Sequence, residues 1–157
     1  MSAAEKTDKI QSILAEHGID AKILVFSEST KTSQDAAAQA HCQLGQIAKS
    51  IIFRIGDEPV LAIMSGPNRV SLQKLEQMIG GKPEKADAQF VLEKTGFPIG
   101  GVPAFGHNTP IKFIFMDHDL TKYETIWSAA GTPHAIYEIT PQNLARMSNA
   151  QIMDIKE

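Results

Sequence analysis

Two apolar runs, residues 46–55 and 59–65, stand on either side of Gly56-Asp57-Glu58. Runs of this length, rich in Ile, Val and Phe and separated by a Gly-Asp turn, predict a β-hairpin. One residue is out of character. Lys49 sits at the mouth of the apolar stretch Ile51-Ile52-Phe53, where an ammonium cannot lie cheaply in a core. It must snorkel outward, pair with an acid or hold a ligand. About fifty positions later comes Thr95-Gly96-Phe97-Pro98-Ile99-Gly100-Gly101-Val102-Pro103-Ala104-Phe105-Gly106-His107, rich in Gly and Pro yet too apolar for an ordinary solvated connector. A lysine beside a strand and a loop that exposes its backbone together predict a small-molecule pocket.

The other elements fall around this hairpin. Ile10, Ile13 and Leu14 have helical spacing within 4–17, and Gly18 supplies the stop. A strand is expected at 21–26, and a second helix opens at Thr32-Ser33-Gln34-Asp35, with Ser33 as its cap. Residues 71–79 form a helix burying Leu72, Leu75 and Ile79, and 86–94 another with Phe90 and Val91 inward. Strands follow at 111–116, 125–128 and 135–139, with a turn or short helix at 117–123 and a last helix from Thr140 to Met147. The chain has 157 residues, enough for one real core, and no repeat or linker divides it. The pattern predicts a single mixed α/β domain over 1–157 with a curved, largely antiparallel sheet flanked by helices.

Composition excludes some functions. No apolar stretch reaches the ~18 residues of a membrane span, the N-terminus lacks a signal core, and the single Cys42 permits no internal disulfide. A cytoplasmic protein is expected. A net charge of −3 argues against a protein that coats nucleic acid, and no DNA partner is expected. A local basic patch drawn from Lys22, Lys31, Lys49, Arg54, Arg69, Lys74, Lys82 and Lys85 would still suffice to grip an RNA end. Walker, dinucleotide, Gly-x-Ser-x-Gly and His-Glu-x-x-His signatures are missing. Asp117-His118-Asp119 are adjacent and point different ways, which suits a shared metal poorly, so no metal and no cofactor is expected. Cys42 reads as a small packed residue rather than a nucleophile. His107 and His134 end turn-rich segments, where each is either an ordinary surface histidine or a group pointing into a cleft. Backbone N–H groups around Gly100 to Val102 suit a carbonyl or carboxylate oxygen, whereas Pro103 cannot donate.

Three segments together resemble a known family. Gln46-Ile47-Ala48-Lys49-Ser50-Ile51-Ile52-Phe53 followed by Pro59-Val60-Leu61-Ala62-Ile63, then Gly100-Gly101-Val102-Pro103-Ala104-Phe105-Gly106-His107, then Ala129-Ala130-Gly131-Thr132-Pro133-His134 are similar, in this order, to the YbaK family of aminoacyl-tRNA deacylases. That family includes the editing domain of bacterial prolyl-tRNA synthetases and its free-standing relatives. The resemblance spans roughly 30–144. It implies a curved α/β fold and metal-free hydrolysis of a mischarged aminoacyl-tRNA ester. Lys49 would be the key lysine, engaging the terminal adenosine's phosphate or ribose and positioning the ester. Gly100, Gly101, Val102 and Pro103 would belong to the substrate loop, and His134 would help hold the substrate. His107 lies just beyond the loop, and Asp117 either falls where relatives carry an acid or is simply structural. The expected protein is a free-standing editor of tRNA for proline carrying Ala, Ser, Thr or 2-aminobutyrate, with prolyl-tRNA synthetase as a possible partner. The alternative is a non-catalytic module that binds aminoacyl-tRNA or a nucleotide.

Overall fold

A computed structural model describes all of residues 1–157. Its centre is the expected hairpin, β2 (Ile47–Ile55) and β3 (Glu58–Ser65), paired without a break from Ala48 opposite Ser65 to Ile55 opposite Glu58. Val60 to Met64 of β3 are fully buried. Successive strand side chains point to opposite faces, and here both faces are covered. Leu61 and Ile63 join the larger core with Ile10 and Leu14 of α1 (Ala3–Glu16) and Phe90 and Val91 of α4 (Ala88–Thr95). Val60, Ala62 and Met64 join a smaller core with Leu75 of α3 (Leu72–Ile79), Phe115 and Ile155. The unbroken apolar run in the sequence is the signature of this two-sided burial.

The sheet is an open mixed one of eight strands. The others are β1 (Ile23–Val25), β4 (Glu84–Lys85), β5 (Phe113–Asp117), β6 (Ile126–Ala129), β7 (Ala135–Ile139) and β8 (Gln151–Met153). Their order is β1-β7-β6-β2-β3-β5-β8, with β4 added on β2. Antiparallel pairing predominates, as expected, while β2 with β6, β3 with β5 and β5 with β8 are parallel. Hairpin turns are visible locally, whereas parallel neighbours are joined by long crossovers that leave no local mark. The β3-to-β5 crossover carries α3, β4, α4 and the Gly/Pro loop.

Smaller departures also have local causes. Thr32, not Ser33, caps α2 (Ser33–Ala40), its hydroxyl accepting the Asp35 N–H at 3.0 Å. Leu72 is 38% exposed because it is the first residue of α3, ahead of the face that buries Leu75. The helix expected at 86–94 begins later, where Asp87 caps it through the Phe90 N–H. Strands β4 and β8 were not foreseen; they are only two and three residues long and largely exposed.

One topological detail makes the site. Strand β3 occupies one edge of β2, so β6 and β4 must share the other. On that edge β6 pairs only Ile47 and Ala48, and β4 only Phe53 and Arg54. Lys49 to Ile52 therefore face a gap between two strands. After the last helix, α5 (Pro141–Ser148), the C-terminal segment crosses the 66–71 connection, with Val70 bridging Lys156.

Candidate functional site

The gap opens into a cavity of about 380 Å³. Lys49, Ser50 and Ile51 of β2 form one wall, and Trp127, Ser128 and Ala129 of β6 another. Thr30 to Gln34, leading into α2, close a third side, and Ile99, Gly100 and Val102 of the Gly/Pro loop a fourth. Buried residues, among them Ala36, Ile47, Ala48, Val102, Ser128 and Ile136, make the floor. Exposed Lys31, Gln34 and Ile99 make the rim.

Lys49 is half-buried, and its Nζ donates to the Gly66 carbonyl at 3.0 Å. No carboxylate pairs with it. Burial pushes its pKa below the ordinary lysine range and nearby Arg69 adds to the fall, while Asp117 partly offsets both. Gly66 must be glycine, since a Cβ would lie 2.3 Å from the Leu44 carbonyl oxygen. Of the basic residues expected to form a patch, Lys31 and Lys49 line the cavity and Arg69 acts electrostatically on Lys49. Arg54 instead lies over the Phe90 ring, and Lys74 pairs with Asp154.

The Gly/Pro loop is held from both ends. The Thr95 hydroxyl donates to the Val91 carbonyl and accepts the Phe97 N–H, and Phe97 is buried. The Gly101 N–H closes a turn onto the Pro98 carbonyl at 2.9 Å, so it is spent within the loop. The N–H groups of Gly100 and Val102 donate to no protein acceptor, and both residues line the cavity. Gly100 has φ +88°, a left-handed conformation that favours glycine, and packs against the Lys31 side chain. Gly101 presses on the Thr132 backbone, behind the cavity wall.

The remaining expected residues lie outside the cavity lining. Asp117 is buried with both oxygens engaged: Oδ2 accepts the Ser65 N–H at 3.0 Å and Asn68 Nδ2 at 2.8 Å, and Oδ1 accepts the Asp119 N–H at 3.0 Å. It braces the turn after β3 and does not line the cavity. His107 points inward, with Nε2 2.7 Å from the Pro103 carbonyl. Burial lowers its pKa, the Pro103 contact opposes this, and Lys9 adds to the fall. Buried Pro103 thus serves to anchor the loop's end. His134 is exposed, its Nδ1 3.1 Å from the Glu28 carbonyl. It borders a second, apolar cavity of about 540 Å³ with Val25, Phe26, Pro98 and Pro133, on the other side of the Gly/Pro wall. The Cys42 thiol is pushed up by burial and by Glu138, which disfavours the thiolate a nucleophile needs.

Sequence reasoning missed other residues here. Three of the four buried hydroxyls without a protein partner, those of Thr30, Ser50 and Ser128, belong to cavity-lining residues. The fourth, Tyr137, is opposite Ser128 in the β6–β7 register. Ser128 is its polar neighbour, and burial drives the phenol pKa far above its usual range. Serine and threonine at these positions carry no distinctive spacing, so nothing in the sequence marked them.

Comparison with known proteins gives this geometry its context. Residues 27–147 match the aminoacyl-tRNA editing domain. The YwhH protein of Bacillus subtilis (strain 168), itself uncharacterised, is 32% identical over 130 residues, which cover 81% of each chain. The proline–tRNA ligase of Maridesulfovibrio salexigens is 35% identical over 85 residues, 54% of this chain and 14% of the ligase. A solved structure described as a candidate trans-editing enzyme for prolyl-tRNA synthetase superposes with a TM-score of 0.91 at 37% identity, covering 100% of this chain and 99% of that one. No helix here is long and apolar enough to cross a membrane. The chain belongs to the aminoacyl-tRNA editing domain family, and it is a deacylase of misacylated tRNA.

Proposed function

We propose that the chain acts in trans on tRNA for proline that has been charged with a small amino acid such as alanine, serine, threonine or 2-aminobutyrate. The observation that carries the reading is the unpaired Lys49 ammonium on the wall of a cavity whose opposite loop offers the free N–H groups of Gly100 and Val102. The likeness to a candidate trans-editing enzyme and to proline–tRNA ligases supports the choice of tRNA.

An aminoacyl ester is already activated, so positioning and stabilisation of the developing oxyanion are sufficient without a protein nucleophile. Lys49 engages the terminal adenosine's phosphate or ribose and fixes the ester over the gap. The N–H groups of Gly100 and Val102 face the carbonyl oxygen. Water attacks the carbonyl carbon, with the terminal ribose hydroxyl assisting, and the tRNA leaves with its hydroxyl restored. Ala36, Ala48 and Ala129 keep the cavity narrow and favour a small side chain. Such a site is useful because a synthetase pocket separates small apolar analogues by only ~1–3 kcal/mol per methylene.

The test is a panel of tRNAs for proline charged with Ala, Ser, Thr, Cys and 2-aminobutyrate, incubated with wild type and with Lys49→Ala. Ester loss with wild type, and its absence with a folded variant, is the expected result and names the amino acid. Binding of charged tRNA without any shortening of ester lifetime would instead mark a non-catalytic module. Turnover of Cys-tRNA alone would overturn the choice of amino acid.

A further inference from the structure

Asn68 lies in the turn between β3 and α3, as the last residue of Gly66-Pro67-Asn68, which ends the strand. Its side-chain amide bridges two carboxylates, with Nδ2 donating to Asp117 Oδ2 at 2.8 Å and to Asp119 Oδ2 at 2.9 Å. A side-chain amide nitrogen carries two hydrogens, so both are used. The Asn68 backbone N–H closes the turn onto the Ser65 carbonyl at 2.9 Å. Asp117 Oδ2 also accepts the Ser65 N–H at 3.0 Å. Asp117 thus grips both ends of the segment 65–68, one end through a backbone N–H and the other through the Asn68 amide.

Between those ends lies Gly66, whose carbonyl is the sole hydrogen-bond partner of Lys49 Nζ. Leu44 blocks movement of Gly66 to one side, and the Ser65 hydroxyl is tied to the Gly45 carbonyl at 2.6 Å. Asp119 is itself neutralised by Lys156 at 2.6 Å and Lys122 at 2.9 Å. The arrangement therefore fixes a carbonyl while keeping both carboxylates occupied and away from the Lys49 ammonium.

We infer that Asn68 is a positioning residue for deacylation: its amide locks the 65–68 turn so that the Gly66 carbonyl holds the Lys49 ammonium against the cavity wall. The inference rests on the reading of Lys49 as the working cation of the site. A neutral donor is required at position 68. A carboxylate there would face two others, and an ammonium would add charge beside Lys49 and Arg69.

The experiment is a double-mutant cycle on single-turnover deacylation of the misacylated tRNA that wild type hydrolyses, with circular dichroism confirming folded protein. Asn68→Ala should slow ester loss about 10- to 100-fold, the range expected when a catalytic group is misplaced by up to ~1 Å. Lys49→Ala combined with Asn68→Ala should be no slower than Lys49→Ala alone, because the two act through one interaction. Asn68→Ser, which keeps a single donor, should recover part of the rate, and it decides the question if Asn68→Ala does not fold. Folded Asn68 variants at wild-type rate would overturn the inference, as would losses that multiply in the double variant. A wild-type rate for Lys49→Ala would overturn the underlying reading itself, which separates the two failures.

Discussion

Replacing Gly101 by alanine separates the loop's shape from its chemistry. Gly101 is not among the glycines with positive φ, so the substitution carries no conformational strain of its own. The added Cβ would lie 2.6 Å from the Thr132 carbonyl carbon, 2.7 Å from its Cα and 2.9 Å from its nitrogen. Ordinary contact begins near 3.4 Å, so the two segments must part by about 0.8 Å, the difference between those values. Backbone atoms cannot rotate aside. Thr132 is also held in place, since its hydroxyl accepts the His134 N–H and the adjacent Pro133 carbonyl accepts the Thr30 N–H at 2.6 Å. The Gly/Pro loop must therefore give, and it carries the Gly100 and Val102 N–H groups with it. Overpacking of this kind costs about 1–3 kcal/mol, which for a chain of this size lowers Tm by roughly 2–12 °C. A shift near 1 Å in groups aimed at a reacting carbonyl reduces the rate on the order of 10²-fold. Thermal melts and single-turnover deacylation at 25 °C, far below the melt, measure the two effects separately. A folded Gly101→Ala variant with wild-type turnover would refute the role given to this loop, even if its melting temperature fell.

The other expectations concern stability. Asp119 is held far below the usual carboxylate range, chiefly by Lys156, then by Lys122 and Asn68. Its folded pKa is depressed, so between the two pKa values the unfolded chain binds more protons. The stability it provides is present above about pH 3.8 and is lost as pH falls below that value. The urea midpoint of wild type should consequently drop more between pH 7 and pH 3 than that of Asp119→Asn, and equal drops would remove Asp119 from the account. Thr30→Val replaces a buried hydroxyl lacking a protein partner with a methyl of similar shape. Relief of an unsatisfied group should raise stability by about 1 kcal/mol in urea unfolding, whereas a loss of similar size would show that the hydroxyl has a partner.

What the sequence revealed depended on whether a residue's type clashed with its surroundings. The β2–β3 hairpin was legible because apolar runs and a Gly-Asp turn are local, and Lys49 because an ammonium beside Ile51-Ile52-Phe53 demands an explanation. Gly100 and Val102 were legible because Gly and Pro punctuate an apolar stretch. The parallel pairing of β2 with β6 was not, since Ile47 and Trp127 are eighty positions apart and meet only in the fold. The gap along Lys49 to Ile52 follows from that pairing and was equally hidden. Asp117 shows the opposite case. Its type drew notice, but chemistry-bearing residues are also what a fold uses to tie its turns, and its oxygens are consumed by Ser65, Asn68 and Asp119. The His107 ring is likewise engaged within the fold, at the Pro103 carbonyl.

The site's logic lies in how it aims a charge without cancelling it. A lysine bound to a carboxylate is well fixed, but its charge is neutralised and has little left for a phosphate or a polarised ester. A lysine with no partner keeps its charge but wanders, because its four-carbon stem has many rotamers to lose. Here the partner is the Gly66 carbonyl, a neutral dipole that directs the ammonium and leaves its full charge available. Asp117 opposes the fall in the Lys49 pKa, yet its oxygens are committed elsewhere. That prior engagement keeps it from forming an ion pair. Placing the lysine on the stretch of the β2 edge that neither β6 nor β4 covers then sets this free charge where there is room for a ligand.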